Sequence, residues 1–331
     1  MPGQVRVLRE ADVRAALDMR SCIDAVERAF TAYSAGRAEL PAVIHLDVPE
    51  NEGEIHVKAG HLHGEPHYAL KVSSGFAGNA ARGLLGSDGM VVVFDAETGA
   101  PAAFLLEHGY ITDLRTGAAG GVAARHLAPE EVGTVAIIGT GAQARCQLEA
   151  LACERSFREV RIWGRDPDHA GAAARDISAA AWLPEGCTVT VADSVPDAVG
   201  DADVVLTVTA SREPLVQADW LAFGAHVTAV GSDAPDKQEL DATVLGRADL
   251  VVADSRTQCA QLGEIHHALD AGALEEIEVV ELGEITAGRR PGRTSEEDRT
   301  VCDLTGVGVQ DVAAAALVMR NAGEAGELLE L

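Results

Sequence analysis

Apolar positions fall into two patterns along the chain, and the change between them near residue 119 divides it. In the first third, apolar and polar residues alternate at 43–48, 54–59, 67–73, 90–94 and 102–106, with turn-forming residues such as Glu97-Thr98-Gly99 between the runs. Alternation with period two places successive side chains on opposite faces, which predicts a half-covered antiparallel sheet. Before it, Ile23, Val26, Phe30 and Tyr33 follow helical spacing, with Ser21 as the expected N-cap and Gly36 as the stop. From residue 119 the alternation gives way to short β-branched runs at 134–138, 159–163, 187–191, 203–208, 225–230 and 249–253, most of them separated by alanine-rich helical stretches. Strand alternating with helix predicts a parallel, doubly wound sheet. Residues 309–323 read as an amphipathic helix returning to the first domain. The expected architecture is α/β, with a doubly wound domain over 119–305 inserted in an α+β domain made of 1–118 plus 306–331.

Charge narrows the function. The 331 residues carry 52 acidic against 26 basic side chains, a formal net charge of −26. Such a surface repels nucleic acid and anionic membranes, so neither is an expected partner. Spread over both halves, it reads as the solvated coat of a protein suited to a salt-rich cytoplasm, or of an ordinary acidic bacterial enzyme. No apolar run reaches 18 residues and the N-terminus lacks a secretory h-region, so a cytoplasmic location is expected. The six cysteines show no CxxC spacing and read as free, buried residues rather than zinc ligands or disulfides. Only three lysines occur, Lys58, Lys71 and Lys237. Where lysine has been so nearly dispensed with, those that remain are candidates for a specific task.

Four constellations carry chemistry. Gly139-Thr140-Gly141-Ala142-Gln143-Ala144 follows the strand TVAII and opens a helix. In that context Gly139 makes the tight turn, Gly141 lets the backbone approach a pyrophosphate, and the helix N-terminus donates to phosphate oxygens. At the end of the next strand, Gly164 occupies the place of the usual ribose-binding acid. Arg165 can meet a 2′-phosphate and Asp166 a ribose hydroxyl, so the cofactor is NADP or NAD. In the first sheet, alternation puts His45, His56, Lys58 and Lys71 on one face, opposite Ile44, Leu46, Ile55, Val57 and Val72, which are expected to share a core. Spacing alone would allow a zinc site from His61, His63 and His67, but no metal is expected. Thr112 reads as the N-cap of a helix running to His126. Arg115 then falls in its first turn, where a cation opposes the helix dipole and suggests an anion to hold. Finally, Gly231-Ser232-Asp233 follows a predicted parallel strand. Asp233 there is either a proton donor near the reacting centre, its pKa raised by burial, or the N-cap of a helix over PDKQEL.

Together, KVSSGF (71–76), GYITDLRTGAAG (109–120), AIIGTGAQA (136–144), GSDAPDKQEL (231–240), ELGEITAG (281–288) and DLTGVGVQD (303–311) resemble the ornithine cyclodeaminase/μ-crystallin family over essentially the whole chain. The resemblance implies a homodimer built through the antiparallel domain and a Rossmann-type domain inserted in it. It also implies that Lys71 and Arg115 hold a substrate carboxylate and that Asp233 is the acid/base. Thr116, Thr207, Thr209, Gly231 and the Thr305–Gly306 turn would lie along the cofactor. The chain departs from the family where Pro41-Ala42-Val43 lacks the arginine of Pro-x-Arg, with His45 the nearest substitute. A second departure is His56, with Lys58 beyond it, where ornithine-using members carry an acid. A pocket gaining positive charge disfavours a diamino acid and favours a second carboxylate, as in the similar ectoine-utilisation and iminosuccinate reductase branch. The reading is NAD(P)H-dependent reduction of an imino acid, iminosuccinate above others, by Asp233 and Lys71, with Lys58, His45 and His56 lining the substrate. The alternatives are ornithine cyclodeamination to proline and a μ-crystallin-like NADPH-dependent binding protein.

Overall fold

The computed structural model describes residues 3–275 and 278–330. The chain divides into two compact units, residues 1–115 with 308–331, and residues 116–307.

The first unit carries β1 (Gln4–Arg9), α1 (Glu10–Ala16), α2 (Met19–Ser34), β2 (Ala38–Glu39), β3 (Ile44–Val48), β4 (Gly53–Leu62), β5 (His67–Phe76), β6 (Ser87–Asp95) and β7 (Pro101–Leu106). Helix α3 (Tyr110–Leu127) begins here and continues into the second unit. The cap of α2 is Asp18, not Ser21: Asp18 accepts from the Ser21 N–H at 3.0 Å, so the helix starts a turn earlier than expected. The strands form one sheet in the order β18-β1-β7-β6-β5-β4-β2, with β3 on β4 and β18 (Glu327–Glu330) at the far edge. Every pairing is antiparallel except β1 with β7.

Register fixes the faces. His45 pairs with His56, and Lys58 with Lys71, so the four predicted residues do share a face. Val91 and Val93 lie on that face too, opposite Lys71 and Ala69. The expected packing, however, is reversed. The face carrying Lys71 is the one covered, by α2 and by α11 (Gly308–Asn321). The apolar face is open: Ile44 is 61% and Leu46 54% exposed, and Met90 is exposed beside them. Alternation reports which residues share a face, not which face meets the helices. Nor is α11 amphipathic as predicted: its residues from Val309 to Val318 are buried, Gln310 and Asp311 among them.

The second unit contains β8 (Thr134–Ile138), α4 (Ala142–Glu154), β9 (Glu159–Trp163), α5 (Pro167–Ser178), β10 (Thr188–Val191), α6 (Val195–Val199), β11 (Val204–Thr207), β12 (Arg212–Val216) and β13 (His226–Ala229). After them come β14 (Gln238–Leu240), α7 (Ala242–Gly246), β15 (Leu250–Ala253), α8 (Arg256–Cys259), α9 (Gly263–Asp270), β16 (Val279–Glu281), α10 (Leu282–Thr286) and β17 (Thr300–Asp303). Eight strands pair in the order β10-β9-β8-β11-β13-β17-β15-β16, all parallel. The topological switch falls between β8 and β11, where ligands sit in such sheets. Helices pack on both faces around cores that include Ile138, Val205 and Val227 on one side and Ile137, Val160 and Leu206 on the other. All six cysteines are free. Among the described residues no helix is long and apolar enough to cross a membrane.

Candidate functional site

The carboxyl edge of the parallel sheet gathers most of the predicted cofactor residues of the second unit. Gly139 follows β8 with φ +129°, and a Cβ there would lie 2.9 Å from the Val208 carbonyl oxygen, so only glycine fits the turn. A Cβ on Gly141 would meet nothing within 4 Å. Gly141 is the N-cap of α4, and no side chain caps that end. An open space before an uncapped helix N-terminus is a cradle for a pyrophosphate, so the residues present fit a dinucleotide. Thr140, Ala142 and Gln143 complete the turn. Thr140 also fills the space beside Gly164, where a Cβ would come within 2.5 Å of its methyl group. Beyond β9, Arg165 is exposed, whereas Asp166 caps α5 by accepting from the Asp168 and His169 N–H groups at 2.9 and 3.1 Å.

At the ends of β11 and β13 a residue missed in the sequence, Glu239, ties the loops together. Completely buried, it accepts from Thr207 Oγ1 (2.8 Å), from the Thr209 N–H (2.5 Å) and from the Gly231 N–H (2.8 Å). Burial pushes its carboxyl above the usual range, against these hydrogen bonds. Glu264 supports it from below, accepting from the Glu239 and Leu240 N–H groups; burial raises this carboxyl to about 8. After β17, Thr305 is buried and its hydroxyl donates to Asp254 Oδ1 at 3.1 Å, while the Gly306 N–H donates to Oδ2 at 2.8 Å. The Thr116 carbonyl accepts from Gln147 Nε2 at 2.9 Å. Thr207 and Thr305 thus have their hydroxyls engaged within the protein.

Asp233 departs from expectation in two ways. PDKQEL forms a turn leading into β14, not a helix, so Asp233 caps nothing. It is also exposed rather than buried, and Lys237 Nζ donates to it at 2.6 Å.

In the first unit, α3 starts at Tyr110, so Thr112 is not its N-cap and Arg115 lies in the second turn, not the first. The dipole argument loses its premise, yet Arg115 does meet an anion. Lys71 Nζ and Arg115 Nε both donate to Asp311 Oδ1, each at 2.9 Å, and Arg115 Nη1 donates to Gln310 Oε1 at 2.5 Å. Lys71 is 1% and Arg115 4% exposed, so this is a buried triad of two cations and one carboxylate. Burial pulls Lys71 down to about 8 although Asp311 opposes it. Burial also disfavours the Asp311 charge, but Arg115 and Lys71 outweigh it and hold that carboxyl at about 2. Asp311 Oδ2, Gln310 Nε2 and Glu107 Oε1 are buried with no hydrogen-bond partner among the described residues. Neither Asp311 nor Gln310 was given a role in the sequence, although both close the motif DLTGVGVQD (303–311). The available signal was an acid and an amide opening an otherwise apolar run, VQDVAAAALV.

Lys58 is half-buried beside Lys71. His56 lies two residues along, roughly 7 Å further down the strand. His45 Nδ1 and His56 Nε2 are hydrogen-bonded at 2.8 Å, and Asp47 Oδ1 lies 2.9 Å from His45 Nε2. His45, Glu54 and His56 bring three donor atoms within 4.8 Å, whereas His61 and His63 turn to the Glu65 carbonyl and to Glu39.

A glycine turn at the switch point of a doubly wound parallel sheet defines a dinucleotide-binding class of protein. Comparison with known proteins places it more closely. Residues 4–326 match the model of the ornithine cyclodeaminase/mu-crystallin family. A putative dehydrogenase of Rhizobium meliloti is 43% identical, covering 99% of each chain. The iminosuccinate reductase of Paracoccus denitrificans is 30% identical, covering 98% of this chain and 99% of that one. Among solved structures, an archaeal alanine dehydrogenase dimer with bound NAD superposes with a TM-score of 0.90 at 33% identity, covering 99% of both chains. The Thermococcus litoralis Δ1-pyrroline-2-carboxylate reductase in complex with NADH and L-proline gives 0.91 at 29% identity, covering 99% of this chain and 100% of that one. The chain belongs to the ornithine cyclodeaminase/mu-crystallin family and is an enzyme of it.

Proposed function

We propose that the protein is an NAD(P)-dependent imine reductase that converts an imino acid to an amino acid, with iminosuccinate, giving aspartate, as the preferred substrate. The observation that carries the reading is the buried Lys71–Arg115 pair. Two cations against one carboxylate leave one positive charge uncompensated, which suits a single substrate carboxylate held by charge-assisted hydrogen bonds. Lys58, on the same face, would hold the second carboxylate, with His56 and His45 beyond it. A distal ammonium, as in ornithine, would meet like charge there.

A nicotinamide cofactor, when bound, would supply a hydride for the imine carbon. The nitrogen then needs one proton, and Asp233, exposed and held by Lys237, is the group proposed to relay it from water. Gly139, Thr140, Gly141, Ala142 and Gln143 would cradle the pyrophosphate, and Thr116, Thr207, Thr209, Gly231 and Thr305 would shape the rest of the cofactor site. Arg165 would let the site take NADPH as well as NADH, since Asp166 is engaged as a helix cap. The open apolar face of the first unit's sheet supports a homodimer closed over it. A dicarboxylic substrate and an acidic surface both fit a cytoplasmic enzyme.

The test is a screen of NADH and NADPH oxidation with oxaloacetate, pyruvate or glyoxylate, each with ammonia or methylamine, run beside ornithine. Oxaloacetate with ammonia should be the best pair. Good turnover of ornithine with none of the dicarboxylate would overturn the reading, and no oxidation with any pair would favour a binding protein.

A further inference from the structure

The resemblance singled out Lys71 and Arg115 and gave no role to the acid between them. We propose that Asp311 is the positioning residue of the carboxylate anchor: through one oxygen it fixes the Lys71 ammonium and the Arg115 guanidinium side by side and keeps the ammonium charged. The proposal rests on the reading of Lys71 and Arg115 as the carboxylate anchor.

The geometry is specific. Asp311 Oδ1 takes both hydrogen bonds, one from each cation, at the same 2.9 Å. Gln310, the preceding residue on α11, takes the other arm of Arg115. Two adjacent residues of one buried helix thus set the position of both cations, which come from β5 and α3. A structural ion pair would need only one cation for one carboxylate. Here a second cation is drawn into the same buried place, where without the carboxylate the two would repel each other in poorly solvated surroundings.

The groups facing Lys71 make Asp311 hard to replace. Lys58 on β4 and Arg115 on α3 both disfavour the ammonium charge. Glu107, just after β7, also interacts with Lys71, its own carboxyl raised by burial, while the Cys22 thiol on α2, beside Arg115 and Asp311, is pushed up to about 12 by burial. Among these neighbours Asp311 is the acid that hydrogen-bonds the ammonium directly. Burial already brings Lys71 to about 8 against the pull of Asp311, so losing Asp311 would lower its titration further and weaken the charge of the anchor.

With only three lysines in the chain, the titration can be read directly. The intact protein labelled with 13Cε-lysine would be followed by NMR against pH, with Lys71→Met identifying the Lys71 signal. In Asp311→Asn its midpoint should fall by about one unit or more. In NADH oxidation with oxaloacetate and ammonium, KM at pH 7.5 should rise about tenfold or more, with kcat changing much less and KM partly recovering at pH 6.5, where Lys71 recharges. NADH affinity, read by fluorescence, should stay within about twofold. An unmoved Lys71 midpoint in folded Asp311→Asn, or an equal loss of activity at every pH, would overturn the positioning role. Should Asp311→Asn not fold, Arg115→Gln decides: it removes a repelling cation and leaves Asp311 to Lys71 alone, so the midpoint should rise, and a fall or no change would refute the role. If Lys71→Met itself leaves KM unchanged, it is the carboxylate reading that fails. If Lys71→Met raises KM while Asp311→Asn changes neither KM nor the midpoint, only the positioning role fails.

Discussion

Replacing Glu239 by Gln tests whether one buried side chain holds together the strand ends that shape the proposed cofactor site. The carboxylate accepts three hydrogen bonds, two of them from backbone N–H groups on different loops, one to each oxygen. An amide of the same shape has one oxygen. Whichever way it turns, its NH2 faces either the Thr209 or the Gly231 N–H, donor against donor. The Thr207 hydroxyl can rotate to accept, but a backbone N–H cannot. One buried donor is therefore left without an acceptor, a cost of about 1–3 kcal/mol. For a unit of this size that corresponds to a fall in Tm of roughly 2–4 °C per kcal/mol, about 4–8 °C at the middle of the range. A countervailing effect is the removal of charge beside Glu264. Since Glu264 titrates only near pH 8, that relief is small at pH 7 and grows above pH 8. The destabilisation should accordingly be larger at pH 7 than at pH 9. Scanning calorimetry at both pH values checks the sign, and a fluorescence titration should show weakened NADH binding. A Gln variant melting within about 1 °C of the parent at pH 7, with unchanged NADH affinity, would refute the argument.

Arg165→Ala should weaken NADPH more than NADH, by roughly 1–3 kcal/mol for a lost charge-assisted hydrogen bond; equal losses in parallel titrations would remove Arg165 from the site. Raising salt toward molar levels should increase Tm and activity, because screening relieves repulsion within a chain of net charge −26; maxima in low-salt buffer would contradict this. Lys58→Met should lower kcat/KM for a dicarboxylic imine far more than for iminopyruvate, and a uniform loss would place Lys58 outside the second carboxylate's reach. Asp233→Asn should slow the chemical step about 10²–10⁴-fold with a smaller change in KM; since Asp233 caps no helix, near-normal turnover in a folded variant would leave it no acid/base role.

Much of the architecture was legible because it rests on local periodicity. The β-branched runs from 134 to 253 mark six of the eight strands of the parallel sheet, and the glycine turn lies where a strand meets a helix. The strands that escaped are β16 and β17, three and four residues long. Side-chain identity also told which residues of the first sheet share a face. It could not tell which face is covered, because the covering helix, α11, returns from the far end of the chain. The same distance hides Asp311: its partners Lys71 and Arg115 lie 240 and 196 residues away in sequence. Glu239 is obscured differently. Within GSDAPDKQEL it looks like one more acid of an acidic surface, and only the folding of β14 carries it beneath the loops it holds. Local misreadings had local causes. Asp18 and Ser21 are both good caps, and the chain uses the earlier one. Asp233 precedes a proline-containing segment whose turn residues outweigh its helical ones.

The electrostatics of the whole chain bear on why the proposed anchor is buried. An anionic substrate approaching a surface of net charge −26 is repelled, and isolated surface lysines would offer little against that field. At physiological ionic strength the repulsion reaches about 8 Å, and at 1 M salt about 3 Å. Exposed cations would lose their attraction over the same range of salt as the acidic coat loses its repulsion. Lys71 and Arg115 are shielded from this exchange. Buried in a triad with Asp311, they would act on a bound carboxylate at hydrogen-bond distance through protein rather than through electrolyte, where screening is weak. Salt can then weaken the long-range repulsion without equally weakening the contact that holds the substrate. Asp311 is what makes such an anchor tolerable inside the fold. It offsets one of the two charges during folding and would leave the other for the proposed ligand.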